Sequence, residues 1–161
     1  MPILHIQITA EAQASNGTPI PITPSNALTQ RGPVVQVTVN VEQHIAQQLL
    51  QEGQVLPTPV SGLALLDTGA TRTCIDETVA QSLHLPVIDV ATIASATHAS
   101  TQQNVYPIQI EVSGLPIKIN APKAIGVPLS VQGLIVLIGR DVLQNCTLFY
   151  NGLTGSFTLS I

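Results

Sequence analysis

The 161-residue sequence is poor in charge, and this scarcity excludes several classes of partner. Only 9% of the residues are charged and the formal net charge is −4, so the chain lacks the basic surface that a phosphate backbone requires. We therefore expect no nucleic-acid partner. No stretch of the sequence approaches the roughly eighteen consecutive apolar residues of a membrane-spanning helix, so we expect no membrane partner either.

The sequence also lacks the features of secreted, disulfide-rich and metal-binding proteins. Its N-terminus has no basic segment followed by a long apolar stretch, as a secretory signal has, and we expect a cytoplasmic protein. Cys74 and Cys146 are too few and too far apart for a disulfide scaffold, and we expect free thiols. Since His5, His44 and His84 are scattered along the chain, neither a metal nor another cofactor is predicted.

Apolar residues make up 45% of the sequence, which is enough for one sizeable core, and residues 1–161 are interpreted as a single domain. The content of Val, Ile and Thr and the twelve prolines favour short strands separated by turns. Residues 3–9 and 34–41 alternate apolar and polar side chains, as strands with one buried face do. Between them, residues 13–31 are rich in Pro, Ser, Asn and Thr and predict a loop or loose hairpin. The fold class predicted is mainly β.

One to three short helices interrupt this β pattern; the candidates are residues 42–51, 77–83 and 141–145. The second candidate follows Asp76, whose carboxylate can cap a helix N-terminus. Residues 91–119 return to β character, with strand-like pieces at residues 107–112 and 115–119. The C-terminal residues 147–161 predict a hairpin that turns at Asn151-Gly152 and is completed by Gly155.

The chemistry concentrates where an apolar run, residues 63–66, ends in Asp67, Thr68 and Gly69. Such a strand would hold the carboxylate rigidly, Thr68 could brace the turn through its hydroxyl, and Gly69 would let the backbone turn tightly beside the carboxylate. Asp, Thr and Gly are also common turn formers. Taken alone, the tripeptide is therefore equally consistent with an ordinary turn at the end of a strand.

A second apolar run, starting at Leu134, ends in Gly139, Arg140 and Asp141. With both motifs present, the sequence resembles the retropepsin-like aspartic protease family, which includes retroviral proteases and cellular relatives. The resemblance is strongest over residues 63–161, where residues 67–70 match the Asp-Thr-Gly-Ala signature and residues 138–143 match the second element. Residues 1–60, interpreted as N-terminal strands, a loop and a short helix, rest on pattern alone.

The resemblance implies a closed-barrel-like retropepsin (acid protease) fold and an aspartic endopeptidase that cleaves peptide or protein substrates with water held between two aspartates. Asp67, Thr68 and Gly69 would be catalytic, and Gly139, Arg140 and Asp141 would support them. The chain holds one Asp-Thr-Gly and no internal repeat. The second carboxylate must then come from another copy, and we expect a symmetric homodimer in which Asp67 meets Asp67.

The resemblance also implies a lid hairpin some way after the aspartate, at residues 93–101. The expected substrate contacts are Ala70, Ile93, Ala94, Ser95, Ala96, Thr97, His98 and Ile138. The alternative for His98, which is the commoner case for such a residue, is a solvated loop histidine that has no role in catalysis. Because the sequence is poor in charge, we expect an apolar cleft, to which Val127, Pro128 and Leu129 would also contribute, and hydrophobic side chains flanking the cut.

Two questions stay open at this level. Thr71 and Arg72 stand where retroviral enzymes typically carry acidic residues, so Arg140 lacks its expected partner; Arg72 and Asp141 could form a substitute contact or be unrelated surface residues. A non-catalytic module of the same fold that binds peptides or holds a dimer together is the main alternative to a protease, since fold does not guarantee activity. A structural β-barrel in which Asp67 only caps a turn is a further alternative.

Overall fold

The computed structural model describes residues 2–95 and 98–161. Within these ranges the chain forms twelve strands and four α-helices. The strands are β1 Ile3–Gln7, β2 Ala10–Gln13, β3 Pro19–Ile22, β4 Val34–Val41, β5 Val60–Leu66, β6 Cys74–Asp76, β7 Asp89–Ser95, β8 His98–Val112, β9 Lys118–Val127, β10 Val136–Ile138, β11 Thr147–Asn151 and β12 Ser156–Ser160. The helices are α1 Pro24–Arg31, α2 Gln43–Gln51, α3 Glu77–Ser82 and α4 Arg140–Leu143.

The main sheet closes on itself. Its strands follow the order β4-β5-β10-β6-β9-β8, and β8 pairs back to β4, so that six strands form a ring to which β7 is added outside. On β4, Val39 lies opposite Val60 of β5 and opposite Ile110 of β8. This closed, mainly β architecture confirms the predicted fold class.

Alternating side chains of the barrel strands form the core. Val35, Val37 and Val39 of β4 are at most 1% exposed, and Ile108 and Ile110 of β8 are fully buried. Because successive side chains of a strand point to opposite faces, these alternate residues line the inside of the ring. The strict alternation in the sequence of residues 34–41 therefore identified the inner face of β4 correctly.

A second sheet has the order β1-β12-β11, with all pairs antiparallel. Phe157 and Leu159 of β12 are buried and join the same apolar core as the barrel. The C-terminal hairpin turns after Asn151, as predicted, and Gly155 completes the turn with a φ of +64°. Gly155 also packs against the backbone of Pro24, where a side chain would collide. This contact anchors α1 to the second sheet.

The three predicted helices are present with small shifts at their ends. Glu42 caps α2 by accepting a hydrogen bond from the His44 backbone N–H at 2.9 Å. Asp76 caps α3 through the backbone N–H of Thr78 at 3.0 Å, as predicted. The last helix, α4, begins at Arg140, one residue earlier than expected. No helix in the described ranges is long and apolar enough to cross a membrane.

The prediction for residues 13–31 was wrong in its second half. Residues 19–22 form the predicted loose hairpin with β2, but residues 24–31 form the helix α1. Thr23 caps this helix by accepting from the Asn26 backbone N–H at 3.4 Å, and Pro24 occupies its first turn. Proline is tolerated there because the first N–H groups of a helix have no partner within the helix. Thr-Pro was therefore a helix start, and the total rises to four helices.

The strand expected at residues 115–119 was also misplaced. Leu115 lies in the turn after β8, and the next strand, β9, begins only at Lys118 and continues to Val127. Pro107, expected at a strand start, lies inside β8, where the pairing with β9 shifts between Tyr106 and Ile108. A bulge accommodates proline in a strand because proline has no N–H to donate.

Candidate active site

The two sequence motifs lie side by side in the structure. Strand β5 delivers Asp67 at its end, and β10 runs parallel to it with Ile138 opposite Leu66. The backbone N–H of Asp67 donates to the carbonyl of Ile138 at 2.9 Å. A buried strand pair therefore fixes the backbone on which the candidate catalytic carboxylate is mounted.

The Asp67 carboxylate is held by its own turn. Its Oδ1 accepts hydrogen bonds from the backbone N–H groups of Gly69, at 2.7 Å, and Ala70, at 3.3 Å. A Cβ on Gly69 would lie 3.0 Å from this oxygen, so the small residue allows the close turn. Among the described residues none donates to Oδ2. One oxygen is thus fixed and the other remains available to water, substrate or a second carboxyl group.

Arg140 braces the same turn from outside. Its Nη1 donates to the carbonyl oxygens of Thr68, at 2.7 Å, and Gly69, at 3.0 Å, while Nη2 donates to the hydroxyl of Thr71 at 2.9 Å. These acceptors are the partners that the sequence did not identify for Arg140. We expected Thr68 to brace the turn through its hydroxyl, whereas Arg140 contacts its carbonyl oxygen.

Asp141 holds the segment that follows the turn. Its carboxylate accepts from the Thr73 backbone N–H at 2.9 Å and from the Thr73 hydroxyl at 2.8 Å. The only ion pair in the part of the chain that the structure describes is Lys118–Glu111. The contact between Arg72 and Asp141 that the sequence left open is therefore not formed, and both motifs are joined by Thr73.

Gly139 lies where no side chain fits. A Cβ built there would fall 2.6 Å from the carbonyl oxygen of Arg72 and 2.8 Å from the nitrogen of Thr73, both of which are backbone atoms. Its φ of −88° is open to any residue, so the requirement is for space alone. Gly139 thus lets the second motif pass directly against the loop that carries the first.

A cleft of about 710 Å³ opens beside the Asp67 turn. Its lining consists of residues 69–72, Cys74, residues 89–93 and Ile125. Ala70 and Ile93, both predicted substrate contacts, lie here. Ile138, predicted as a third, is 1% exposed and packs in the core, and Leu129 is 4% exposed. Neither side chain lines the cleft. The apolar sequence around Ile138 and Leu129 reflects burial in the barrel interior.

The predicted lid falls at the connection between β7 and β8. These strands pair antiparallel, with Ile93 opposite Thr101 and Ser95 opposite His98. The predicted contacts Ala96 and Thr97 lie outside the described residues, as do the side chains of the remaining predicted lid contacts, which are Ala94, Ser95 and His98. The structure thus describes the strands that lead to this segment.

The cleft is less apolar than the sequence suggested. Arg72 and Asp89 are both exposed and both line it, which corrects the expectation of an apolar cleft. Arg72 lies just before β6 and Asp89 begins β7. Only the pairings of β6 with β9, of β9 with β8 and of β8 with β7 bring these two residues to one side of the barrel. No local sequence signal could have found them.

Cys74 also lines the cleft, and its surroundings favour the protonated thiol. Cys74 and Cys146 are free, as predicted. Burial raises the pKa of the Cys74 thiol to about 11, and the negative charges of Asp141 and Asp67 add to the effect. Only the thiolate is a good nucleophile, and a pKa raised this far keeps the thiol protonated near neutral pH.

Comparison with known proteins gives one family. The family model described as gag-polyprotein putative aspartyl protease matches residues 59–145, more than half of the chain, including both motifs. No curated protein sequence matches the chain.

Three solved structures resemble the chain at low identity. The foamy viral protease-reverse transcriptase, in complex with an RNA/DNA hybrid, is 22% identical with a TM-score of 0.44 over 70% of this chain, which spans 12% of the length of that protein. The Simian Foamy Virus (mac) protease is 21% identical with a TM-score of 0.43, over 69% of this chain and 91% of its own. A retropepsin-like aspartic protease from Rickettsia conorii is 13% identical with a TM-score of 0.46, over 98% and 90%.

Proposed function

Since the chain belongs to the retropepsin-like gag-polyprotein aspartyl protease family, we propose that it is an aspartic endopeptidase whose active site is shared between two copies of the chain. The observation that carries the proposal is the Asp67 turn. Asp67 presents a carboxylate with one oxygen fixed by Gly69 and the other without a donor among the described residues. A carboxylate prepared in this way is suited to bind and activate a water molecule.

The second carboxylate is proposed to be Asp67 of the partner copy. The two other aspartates near the motifs are already engaged: Asp76 is 1% exposed and accepts from three backbone N–H groups, and Asp141 holds Thr73. Asp89 lies in the cleft but is not followed by Thr-Gly. A two-fold axis beside Asp67 would supply the missing group from an identical turn.

The proposed mechanism divides the work between the two carboxyl groups. Two negative charges about 4 Å apart repel by roughly 4 kcal/mol at an effective dielectric constant near 20, so the pair retains one proton. The ionised carboxylate accepts a proton from water as the water attacks the scissile carbonyl, and the protonated carboxyl donates a hydrogen bond to the carbonyl oxygen. The C–N bond then breaks as the carboxyl group that took the proton from water gives it to the leaving amine nitrogen, which leaves the pair with one shared proton again. Activity should therefore fall when the shared proton is lost at higher pH.

The experiment that tests the proposal is cleavage of a mixed peptide library by the wild type and by Asp67→Asn, at several pH values between about 4 and 7. Glu11→Gln is the matched control, because it makes the same acid-to-amide change on an exposed side chain of β2. We expect the wild type and the control to cut peptides and Asp67→Asn, still dimeric, to cut none. A demonstrably dimeric wild type that cuts nothing would instead favour a non-catalytic module that binds peptides.

A further inference from the structure

The cleft carries a positive charge that none of the described residues engages. Arg72 is exposed and lines the cleft five residues after Asp67 in the chain. Within residues 2–95 and 98–161 its guanidinium forms neither an ion pair nor a hydrogen bond. The guanidinium of Arg140, by contrast, donates hydrogen bonds to the carbonyls of the Asp67 turn. Arg72 is therefore the arginine in this region that is available to a ligand.

The carboxylates around Arg72 do not neutralise it by direct contact. Asp141 is oriented by Thr73, and Asp67 by Gly69 and Ala70. Asp89 shares the cleft, but its Oδ1 accepts from the neighbouring Val90 N–H at 2.8 Å and it forms no ion pair in the described ranges. The cleft thus presents one separate cation and one separate anion.

We propose that Arg72 makes the enzyme prefer peptides with an acidic side chain at the position that reaches this part of the cleft. The inference rests on the proposed function, because it takes the bound ligand to be a peptide. An arginine presents a planar fork of N–H donors that fits a carboxylate. Asp89 repels the same side chain, so the preference is confined to one position on each side of the cut. Both sides are affected because a dimer contains Arg72 twice.

The size and character of the preference follow from exposure. A solvent-exposed ion pair supports a difference of about two- to fivefold in binding between a peptide with a glutamate and the same peptide with a glutamine at this position. The ion pair with Arg72 is remote from the reacting atoms, so it stabilises the bound peptide and the transition state equally. The difference therefore appears in KM and not in kcat. It weakens as salt is added, because screening acts on exposed charges.

The test uses peptide libraries in which one position at a time is fixed as Glu or as Gln. Retention of each library on immobilised Asp67→Asn protein measures binding without cleavage, and KM and kcat of the wild type are measured on individual peptides. Arg72→Gln removes the charge, Arg72→Glu inverts it and Arg72→Lys keeps it. Arg31→Gln is the matched control, since Arg31 is an exposed arginine at the end of α1 that does not line the cleft.

We expect the Glu libraries to be retained better than the Gln libraries at one position on each side, with the preference lost in Arg72→Gln, reversed in Arg72→Glu and kept in Arg72→Lys and in the control. Equal retention of the two libraries by the protein with Arg72 intact, a preference that survives Arg72→Gln, or no retention of any peptide would overturn the proposal. A wild type that shows the binding preference but cleaves nothing would refute the proposed protease activity and leave the inference about Arg72 standing.

Discussion

Gly139 is the residue whose substitution should damage the site most directly without touching a catalytic group. In Gly139→Ala the new Cβ would collide with the backbone of Arg72 and Thr73, which cannot rotate away as a side chain would. We expect the free energy of unfolding to fall by about 3 kcal/mol and peptide cleavage to be lost. Urea unfolding followed by circular dichroism measures the first effect.

Gly152→Ala is the control for this substitution. A Cβ on Gly152 would meet only a Tyr150 side-chain carbon, at 3.5 Å, which is an ordinary contact. Its urea midpoint should stay close to that of the wild type. Equal stabilities for Gly139→Ala and the wild type would show that the two motifs do not pack as described.

Asp76 should make stability depend on pH in the acid range. Burial acts to raise the pKa of Asp76, but hydrogen bonds from Thr78, Ser130 and Leu129 outweigh it and hold the pKa below its ordinary value. In the unfolded chain an aspartate has a pKa of about 4. The contribution of Asp76 to the free energy of unfolding is therefore complete above that pH and is lost as pH falls through the lower pKa of the folded protein. Asp76→Asn should cost about 2 kcal/mol at neutral pH, because the amide N–H₂ cannot accept from backbone N–H groups.

The measurement is urea unfolding of the wild type and Asp76→Asn at a series of pH values. The difference between the two free energies of unfolding should shrink as pH falls below about 4. Glu42→Gln is a comparison at a second helix cap, where His44 is the one donor to the carboxylate among the described residues. A difference that stays constant down to the lowest pH would contradict the hydrogen-bonding role assigned to the Asp76 carboxylate.

At the scale of single residues, the sequence identified the groups but not all of their contacts. Asp67, Gly69 and Gly139 followed from the two motifs, and the structure brings them together. A supporting role for Arg140 was expected, but its partners could not be predicted, because two of them are backbone carbonyls whose position depends on the parallel register of β5 and β10. Arg72 was assigned to a contact with Asp141 or to an unrelated surface, whereas it lines the cleft.

At the scale of elements, Tyr106 links β8 to α3. Its hydroxyl donates to Glu77 Oε1 at 2.6 Å, and Gly126 of β9 leaves room for this contact. Burial raises the pKa of Tyr106, and the hydrogen bond to Glu77 raises it further. The Tyr106 phenol therefore keeps its proton in the folded protein at a pH where the same phenol in the unfolded chain, with a pKa of about 10, begins to lose it.

Phenolate absorbance tests this link. Because the chain has only two tyrosines, Tyr150→Phe leaves Tyr106 as the sole phenol. We expect its titration midpoint to be higher in the folded protein than in the same variant unfolded in urea, and Glu77→Gln to lower the folded midpoint. Circular dichroism at each pH shows that the protein is still folded. Coinciding folded and unfolded midpoints would contradict the link between α3 and β8.

The prediction from sequence failed at α1, where a polar segment forms a helix. Residues 24–31 contain Pro, Ser and Asn and were interpreted as a loop, yet α1 buries Ala27 and Leu28 against the core. The apolar content of this segment is too low to give a clear period, and tertiary packing supplies its stability. The one local signal of this helix is its start, where Thr23 caps the helix and Pro24 stands in its first turn.

At the scale of the whole molecule, the mainly β class could be predicted and the closure of the barrel could not be derived from local pattern. The alternation along residues 34–41 shows that β4 has a buried face, but not that it pairs with both β5 and β8. Such pairings join residues far apart in the chain, on which local propensity has no influence. The cleft could not be derived from local pattern either. It lies between β7 and the Asp67 turn, and the position of β7 depends on the pairing of all the strands that separate it from this turn.

The measurement that tests the proposed shared active site most directly is activity in mixtures of the wild type and Asp67→Asn at constant total protein concentration, after the subunits have exchanged. If each site needs Asp67 from both copies, mixed dimers are inactive and activity falls with the square of the wild-type fraction, so that an equal mixture keeps one quarter of it. Mixtures with the control Glu11→Gln should keep full activity. A linear decline, with half of the activity left in the equal mixture, would contradict a catalytic pair shared across the dimer.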